Sequence, residues 1–508
     1  MAGGFRIWAA PVAGVALALL MLPAASAGPG ATARLSAATG GVQADGRSFV
    51  PAISADGRFS AFYSDASNLV PGDANSSRDV FVHDGHTGET TRVSVDSSGV
   101  ESNGDSFAPA ISGDARFVAF SSSGSNLVAG DTNGVDDVFV RDRQAGTTAR
   151  VSLAPGGAEA NDGSYAPSIS ADGRYVAFLS DATNLVAADL NTNRDVFVFD
   201  RQTGTTVNAS VDSAGAQANL DSFTPELSAD GRFVVFTSFA ANLIPSDTND
   251  GSDVFLRDLQ AGTTTRVSEY QGAFEGDGDQ LRPSISADGR YVAFDSDAWN
   301  LAWGDTNDAF DVFVKDRQTD LLTRVSVDDN GTQSDGASYR PSLSADGRYV
   351  AFYSEAANLV PGDTNGAADV IIHDRRSGAT KRVSVAGGGG ESNGDSVRPA
   401  ISADGKLIVF ESDATNLVAG DSNRFTDIFV HDPAAAGPPP SPPVKCVVPR
   451  VIGLRLAVAR NRIGRANCRV GRVRRARSRR AGRVLLQSPR AGSVRSRGAK
   501  VNLVVGRR

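Results

Sequence analysis

One motif recurs along the chain at a fixed interval. The residues SADGRYVAF stand at 170–178, 286–294 and 344–352. Close variants begin at Ser54, Ser112, Ser228 and Ser402. The aspartate of the motif recurs every 58 residues, seven times from Asp56 to Asp404. A constant period of this length indicates an architecture built from repeated supersecondary units.

Each unit predicts four short strands. In the third unit the first three strands are expected at 167–170, 174–180 and 195–200, and the fourth strand is clearest in the next unit, at 265–268. The pair Asp172-Gly173 predicts a hairpin turn, because glycine adopts a positive φ without a Cβ clash. Short runs rich in Val, Phe, Tyr and Thr favour an antiparallel sheet. Seven four-stranded units predict a seven-bladed β-propeller.

The two ends of the array favour a closed ring. The last unit stops after its third strand, at 428–432, whereas the array begins with an unpaired fourth-strand sequence at 33–36. That strand can complete the seventh blade, whereas a linear solenoid would need polar caps at both ends. The expected fold is therefore an all-β propeller over 33–432.

The units resemble the TolB-like propeller family, whose repeats carry P-x-x-S-x-D-G before an apolar strand. The matching residues in the third unit are Pro167, Ser170, Asp172 and Gly173. The resemblance implies the fold, but such propellers serve as binding proteins, peptidase gates and scaffolds. The second unit has Gly113 and Ala115 where the others have Ala and Gly, which should alter one turn only.

The N-terminal segment has the pattern of a secretory signal peptide. Arg6 precedes an apolar run at 7–22, and the small residues at 25–27 form a cleavage motif. Residues 1–27 are therefore expected to be removed on export, with an uncleaved membrane anchor as the alternative. No later stretch is apolar enough to predict a membrane span, so the mature chain is expected outside the cell or at the cell wall, or in the periplasm of an envelope with an outer membrane.

The charge is divided between an acidic body and a basic tail. From Pro433 onward the chain has 20 Lys and Arg and no Asp or Glu, whereas the rest has 30 basic and 58 acidic residues. Residues 433–444 are Pro-rich and predict a semi-rigid linker. The two parts should therefore have different partners.

The tail, 445–508, resembles the PASTA domain, a small α+β module of bacterial cell-wall proteins. Leu456, Ala459 and Ile463 are spaced for one helical face, and strands are expected at 484–487 and 501–505. The residues that carry the resemblance are Val448, Pro449, Gly453, Gln487, Ser488, Pro489, Gly492 and Gly498. It implies recognition of peptidoglycan or a related wall polymer.

Two further features of the tail bear on its chemistry. Cys446 and Cys468 are the only cysteines of an exported unit, which predicts a disulfide, with two buried thiols as the alternative. The Arg-rich stretch 469–483 lacks aromatic residues for base stacking, so we expect no nucleic-acid binding. An anionic wall polymer or lipid headgroup suits it better, and a merely solvated basic face is the alternative.

Three arginines distinguish units 5 to 7. The residue before the first-strand proline is Arg282, Arg340 or Arg398 there, and Val, Ala or Thr in units 1 to 4. Adjacent units should bring the three arginines to one side of the channel mouth, where like charges need an anion or carboxylate partners. Asp279 and Asp395 are near in sequence and are the expected internal partners.

Trp299, Trp303 and Glu226 also break the repeat. The two tryptophans replace smaller residues in the loop after the second strand of unit 5, which predicts either a binding platform beside arginine or loop packing. Glu226 is the single acidic residue at a first-strand position otherwise Ala or Ser. It is the candidate for a channel-facing acid.

Every unit also carries Asp-x-Asn-x-x-x-Asp in the loop before the third strand, as in Asp131, Asn133 and Asp137. Oxygen ligands at this spacing can hold calcium. The loop lacks the remaining ligands of an EF-hand, and Asp and Asn also build turns by bonding their own backbone. A structural turn is the favoured interpretation, and no cofactor is required.

No set of residues in the sequence has the pattern of a catalytic site. No nucleophile-elbow motif occurs. His83, His373 and His431 occupy equivalent positions that look like variable surface. The sequence therefore predicts an exported, non-catalytic scaffold whose propeller binds an unknown protein or glycan. The alternatives are a glycan lyase or hydrolase acting on the wall, and a purely structural envelope protein.

Overall fold

The computed structural model describes residues 30–433, except 188, 246, 250, 271–273 and 388, and residues 446–507, except 467, 492 and 496–498. The chain divides into two compact units, with the change near Pro433. The expected signal peptide lies outside the described residues, as does the expected linker except for Pro433.

The larger unit consists of seven four-stranded antiparallel sheets, here called blades 1 to 7 in chain order. The first strands are Ser48–Ile53, Ser106–Ile111, Ser164–Ile169, Ser222–Leu227, Gln280–Ile285, Ser338–Leu343 and Ser396–Ile401. The second strands are Phe59–Ser64, Phe117–Ser122, Tyr175–Ser180, Phe233–Ser238, Tyr291–Ser296, Tyr349–Ser354 and Ile408–Ser412.

The third strands are Asp79–Asp84, Asp137–Asp142, Asp195–Asp200, Asp253–Asp258, Asp311–Asp316, Asp369–Asp374 and Asp427–His431. The fourth strands of blades 1 to 6 are Glu89–Arg92, Thr147–Arg150, Thr205–Asn208, Thr263–Arg266, Leu321–Arg324 and Ala379–Arg382. A 3-10 turn at Pro155–Gly157 and a small hairpin, Glu269–Tyr270 with Phe274–Glu275, lie between blades.

The sheets close into a ring. Thr32–Arg34 supplies the fourth strand of blade 7, with Thr32 opposite His431 and Arg34 opposite Phe429. The first strand of each blade contacts the first strands of both neighbours, including blade 7 with blade 1. The seven first strands therefore surround a central channel, and the predicted seven-bladed β-propeller is confirmed.

A second ring, made of backbone hydrogen bonds, joins the turns that follow the first strands. The residue after the motif serine donates its N–H to the carbonyl of its counterpart in the next blade, as from Ala55 to Gly113 at 3.0 Å and from Gly113 to Ala171 at 2.9 Å. The ring ends where Ala403 donates to Ala55 at 3.1 Å. The repeated motif thus fixes the contact between blades at this end of the channel.

The motif residues also build each turn. In blade 3, Ser170 Oγ donates to Asp172 Oδ1 at 2.7 Å, and the N–H of Arg174 donates to the same oxygen at 2.9 Å. Gly173 has φ 71°, and a Cβ there would collide with the ring of Phe117 in the preceding blade. At position 173, glycine therefore suits both the positive φ and the close approach of the Phe117 ring.

The turn of blade 2 was expected to differ because its residues differ, but it keeps the form of the other turns. Ala115 adopts φ 59° at the usual glycine position, and its N–H still donates to the Ser112 carbonyl at 2.9 Å. The turn is therefore preserved.

Other arginines join neighbouring strands and blades through ion pairs and contacts with aromatic rings. Arg116 in blade 2 donates to both carboxylate oxygens of Asp142 and lies 4.7 Å from the ring centre of Phe117. Arg201 of blade 3 lies over the same ring at 4.2 Å. The ring is held between two guanidinium groups, and the contact joins two blades.

The smaller unit contains one helix, Leu456–Arg465, and a three-stranded sheet in the order Arg469–Arg477, Lys500–Arg507, Val484–Ser488. A short pair, Cys446–Val447 with Val494–Arg495, lies beside them. The predicted helix is confirmed, and its buried residues are Ala459 and Ile463. The residues Arg469–Arg477 of the Arg-rich stretch form a nine-residue strand parallel to Lys500–Arg507, which was not predicted from the sequence.

Candidate functional site

Each of the three arginines is the third residue of the first strand of its blade, three residues before that strand ends at the hydrogen-bonded turn. Each precedes a proline at an irregularity in the pairing of the first and second strands. Arg282 has φ 48°, and Arg340 and Arg398 have φ 51°. Alanine adopts the same left-handed backbone at this place, as Ala108 and Ala166 show. The fold therefore sets the backbone, and the blades differ in the side chain.

The carboxylate partners of these arginines are not the expected ones. Arg282 Nη1 lies 2.7 Å from Asp295 Oδ2, and Arg398 Nη1 lies 3.0 Å from Glu411 Oε1. Each carboxylate stands on the second strand of the blade to which its arginine belongs. The expectation of Asp279 and Asp395 is wrong, because these accept hydrogen bonds from the loop before the third strand of the preceding blade.

The second-strand position that carries these partners is the signal that the sequence analysis missed. In the pairing of the first and second strands, it stands opposite the residue that lies two positions before the proline. Its occupants in blades 1 to 7 are Tyr63, Ser121, Leu179, Thr237, Asp295, Tyr353 and Glu411. The strand is otherwise nearly invariant, so this variation marks a position at which the blades differ, although five of its seven occupants are buried.

Trp299 and Trp303 are exposed in the loop of blade 5, at 69% and 94%. Loop packing therefore does not explain them. Among the described residues, neither tryptophan has a ring contact with arginine. The ring that accompanies Arg282 is instead Tyr339 of blade 6, at 5.8 Å.

Glu226 lies on the first strand of blade 4. Its Oε1 accepts hydrogen bonds from Ser284 Oγ and the Ile285 N–H of blade 5, both at 3.2 Å. Burial raises the pKa of Glu226 to about 7. Ser168 and Ser284 accept the equivalent N–H of their next blade, at 3.0 and 3.1 Å. Glu226 thus performs the structural role of these serines.

The Asp-x-Asn loops surround an arginine. In blade 2, Arg150 Nη1 lies 3.3 Å from Asp131, 3.0 Å from Asp137 and 2.8 Å from Glu159. Asn133 donates to Asp137 at 3.0 Å. The guanidinium occupies the place that a calcium ion would need, which supports the structural interpretation of these loops.

An arginine between two aspartates, here called the arginine clamp, occurs in six blades, and blades 5 and 7 have glutamine where blade 2 has Glu159. Its arginines are Arg34, Arg92, Arg150, Arg266, Arg324 and Arg382. In blade 1 the three acids Asp73, Asp79 and Glu101 come within 4.8 Å of one another, and Arg92 lies among them. Blade 3 has Asn208 at the arginine position, and its buried Nδ2 has no hydrogen-bond partner among the described residues.

The histidines are buried, so the expectation of variable surface is wrong. His83, His373 and His431 are 6%, 6% and 4% exposed. Each Nδ1 lies 2.9 Å from a threonine hydroxyl, as His83 does from Thr90. Burial lowers the pKa of all three to about 4. They are neutral structural groups near neutral pH.

The C-terminal unit is closed by the predicted disulfide. Cys446 and Cys468 are bonded at 2.08 Å and join the short N-terminal strand to the chain just after the helix. Both lie in an apolar core with Val448, Ile463 and Leu503. Residues 447–507 match the family model of the PASTA domain. The C-terminal unit is a PASTA domain.

The PASTA domain exposes arginine along its sheet. In the strand Arg469–Arg477, five arginines are exposed and alternate in part with Val470, Val473 and Ala476, which are half-buried. No acidic residue exists in 447–507 to pair with them. The described part of this strand pairs on one side only, with Lys500–Arg507. The domain therefore presents a cationic edge.

Several solved propellers are similar to this chain. TolB from Acinetobacter baumannii shares 17% identity over 65% of this chain and 61% of its own, with a TM-score of 0.36. An oligogalacturonate lyase from Vibrio parahaemolyticus shares 12% over 79% and 93%, with a TM-score of 0.48. The propeller of the Trilobed protease from Pyrococcus furiosus shares 11% over 78% and 99%, with a TM-score of 0.48.

Comparison with curated proteins finds no match. Within the described ranges, no helix has the length and apolar character needed to cross a membrane.

Proposed function

We propose that this protein is an exported, non-catalytic binding scaffold. The PASTA domain would associate with cell-wall polymer, and the propeller would present a ligand- or protein-binding face outside the cell or in the periplasm. The observation that carries the proposal is the PASTA match over residues 447–507, in which no acidic residue offsets the arginines.

The charge of the domain favours an anionic polymer. Arg472, Arg474 and Arg477 are exposed on one strand, and none of their guanidinium groups donates a hydrogen bond to a described side chain of the domain. Arginine binds phosphate and carboxylate through a planar fork of N–H donors. A wall polymer that carries either group would satisfy these donors.

A pelleting assay tests the proposal. The mature chain is mixed with purified cell-wall sacculi, either intact or stripped of their phosphate polymers, and the sedimented fraction is measured. Each cation near an anionic surface contributes about 1 kcal/mol, so replacing Arg472, Arg474 and Arg477 by Gln should weaken binding about a hundredfold. Loss of binding on stripped sacculi would identify the phosphate polymer as the partner.

The matched control removes three charges from the propeller. Arg47, Lys381 and Arg424 are exposed, and their replacement by Gln should leave sedimentation unchanged. If the mature chain stays in the supernatant, wall association is wrong. If both triple variants sediment like the parent, the arginine strand does not carry the binding.

A propeller enzyme acting on a wall glycan is the second candidate, and the pKa of Glu226 near 7 is the one observation in its favour. Turnover of wall glycan by the parent and its loss in Glu226→Gln would replace the scaffold proposal. The hydrogen bonds of Glu226 to blade 5 favour a structural role, for which Glu226→Gln should lower the melting temperature only.

A further inference from the structure

The group formed by Arg282, Arg340 and Arg398 on the first strands of blades 5 to 7 has more positive than negative charge. Arg282 and Arg398 are each paired with one carboxylate, Asp295 and Glu411. Arg340, in the blade between them, uses only its backbone N–H, which lies 3.4 Å from Asp295 Oδ1. Its guanidinium has no hydrogen bond or ion pair with any described residue. Three guanidinium groups therefore face two carboxylates.

Arg340 is held in an unfavourable place. It is partly buried, and its pKa is lowered first by burial and then by the positive charges of Arg398 and Arg282. A guanidinium that loses water without gaining acceptors is costly. The other blades show that the backbone does not require arginine, because Ala108 and Ala166 adopt φ 49° and 48° at this position.

Two tyrosine rings lie beside the arginines of blades 5 and 6. Tyr339 and Tyr353 lie side by side with ring centres 5.3 Å apart, and Arg282 lies over Tyr339 at 5.8 Å. Tyr353 is close enough to Arg340 and Arg282 for both charges to act on its phenol. Rings beside a cationic group suit a ligand whose anion is carried on a sugar ring or an apolar stem.

We propose that Arg340, flanked by Arg282 and Arg398, binds the carboxylate group of a ligand at the channel mouth. One carboxylate balances the charges of the group, and its two oxygens match the guanidinium fork. A phosphate dianion would leave an excess negative charge beside Asp295 and Glu411. This proposal rests on the proposed role of the propeller as a binding face and specifies what that face recognises.

Calorimetry on the mature chain tests the proposal. The probes are glucuronate and acetyl-alanyl-alanine, each with a neutral counterpart, glucose and the dipeptide amide. At least one carboxylate probe should bind and its counterpart should not; the probe that binds distinguishes a sugar acid from a peptide terminus. Arg340→Ala should weaken binding about tenfold or more, because the anion loses its unshared donor.

Two controls separate the site from general effects. Lys381→Ala removes one exposed charge from the outer strand of the same blade, and it should leave the affinity unchanged. Arg340→Ala should not lower the melting temperature, because two blades carry alanine at this place and the unpaired guanidinium is costly to bury. Absence of binding by both carboxylates, equal affinity in Arg340→Ala, or tighter binding of inorganic phosphate would each overturn the proposal.

The test is independent of wall association. The variant with Gln at Arg472, Arg474 and Arg477 should bind the carboxylate probe like the parent. Loss of sedimentation with retained probe binding would count against the wall proposal alone. Sedimentation with no probe binding would count against the carboxylate site alone.

Discussion

Removing one clamp arginine should destabilise the propeller and create a cation site. The side chains of Arg150, Asp131 and Asp137 are 7%, 5% and 0% exposed. The pKa of Asp131 is already raised, first by burial and then by Asp137. Arg150→Met keeps the apolar stem but leaves buried carboxylates without their cation. Breaking a buried ion pair from one side costs about 3–5 kcal/mol.

The expected shift in melting temperature follows from the size of the propeller. An unfolding entropy of about 2.1 cal/mol/K per residue, over about 400 residues, converts 4 kcal/mol into about 5 °C. Calorimetry of Arg150→Met should show this loss. Calcium at a hundred times its dissociation constant should restore about 2.7 kcal/mol, because it replaces the guanidinium among the same oxygens.

Calcium should have no such effect on the parent chain, where the arginine occupies the centre. A shift below 1 °C in Arg150→Met would refute the clamp argument, and equal calcium stabilisation of parent and variant would show that the loops bind calcium beside arginine.

The reverse change tests the same reasoning in blade 3. Gln217 stands in blade 3 where blade 2 has Glu159. Asn208→Arg with Gln217→Glu should raise the melting temperature by about 2 °C, through charge-assisted hydrogen bonds worth about 1.5–3 kcal/mol.

Three more predictions concern stability. Gly173→Ala should cost about 2–4 kcal/mol in urea unfolding, because the new Cβ meets the Phe117 ring and φ is positive; a loss below 0.5 kcal/mol would contradict the close approach. Replacing Cys446 and Cys468 by Ser should lower PASTA stability by about 3 kcal/mol, from the loop they close; equal unfolding with and without reductant would contradict this. The pKa of His83 falls from 6.5 unfolded to about 4 folded, so its stability contribution is present above pH 6.5 and declines toward pH 4. His83→Phe should remove about 3 kcal/mol of that decline, and an unchanged pH profile would be the contrary result.

Much of the architecture is readable from the repeat. The seven copies of the repeat predict the seven blades, and the Asp-Gly pairs predict the turns. The unpaired strand before blade 1 predicts the closure of the ring. The third strand of blade 3 is predicted at its observed bounds, Asp195–Asp200. The first strand is predicted three residues too late, since it starts at Ser164. Proline marks the middle of that strand because a pairing irregularity there removes the need for its N–H.

Side-chain partners were harder to predict, because they depend on register. Asp295 is 13 residues after Arg282 and reaches it only across the hairpin. Asp279 is nearer in sequence, but its carboxylate accepts a hydrogen bond from the Ser252 hydroxyl of the preceding blade. The clamp around Arg150 likewise takes its carboxylates from a loop, a strand and the connection to the next blade. Distance along the chain is a poor guide to such partners in an antiparallel sheet.

The sequence by itself determined the repeat, the turns, the disulfide-forming cysteines and the division of charge between propeller and PASTA domain, because each depends on residue type at fixed local spacing. Only the tertiary structure decided that the motif turns join into a hydrogen-bonded ring, that the loop aspartates surround arginine, that the three histidines are buried, and that Arg340 lacks a carboxylate. These outcomes depend on which side chains the closed ring brings together from strands far apart in the chain.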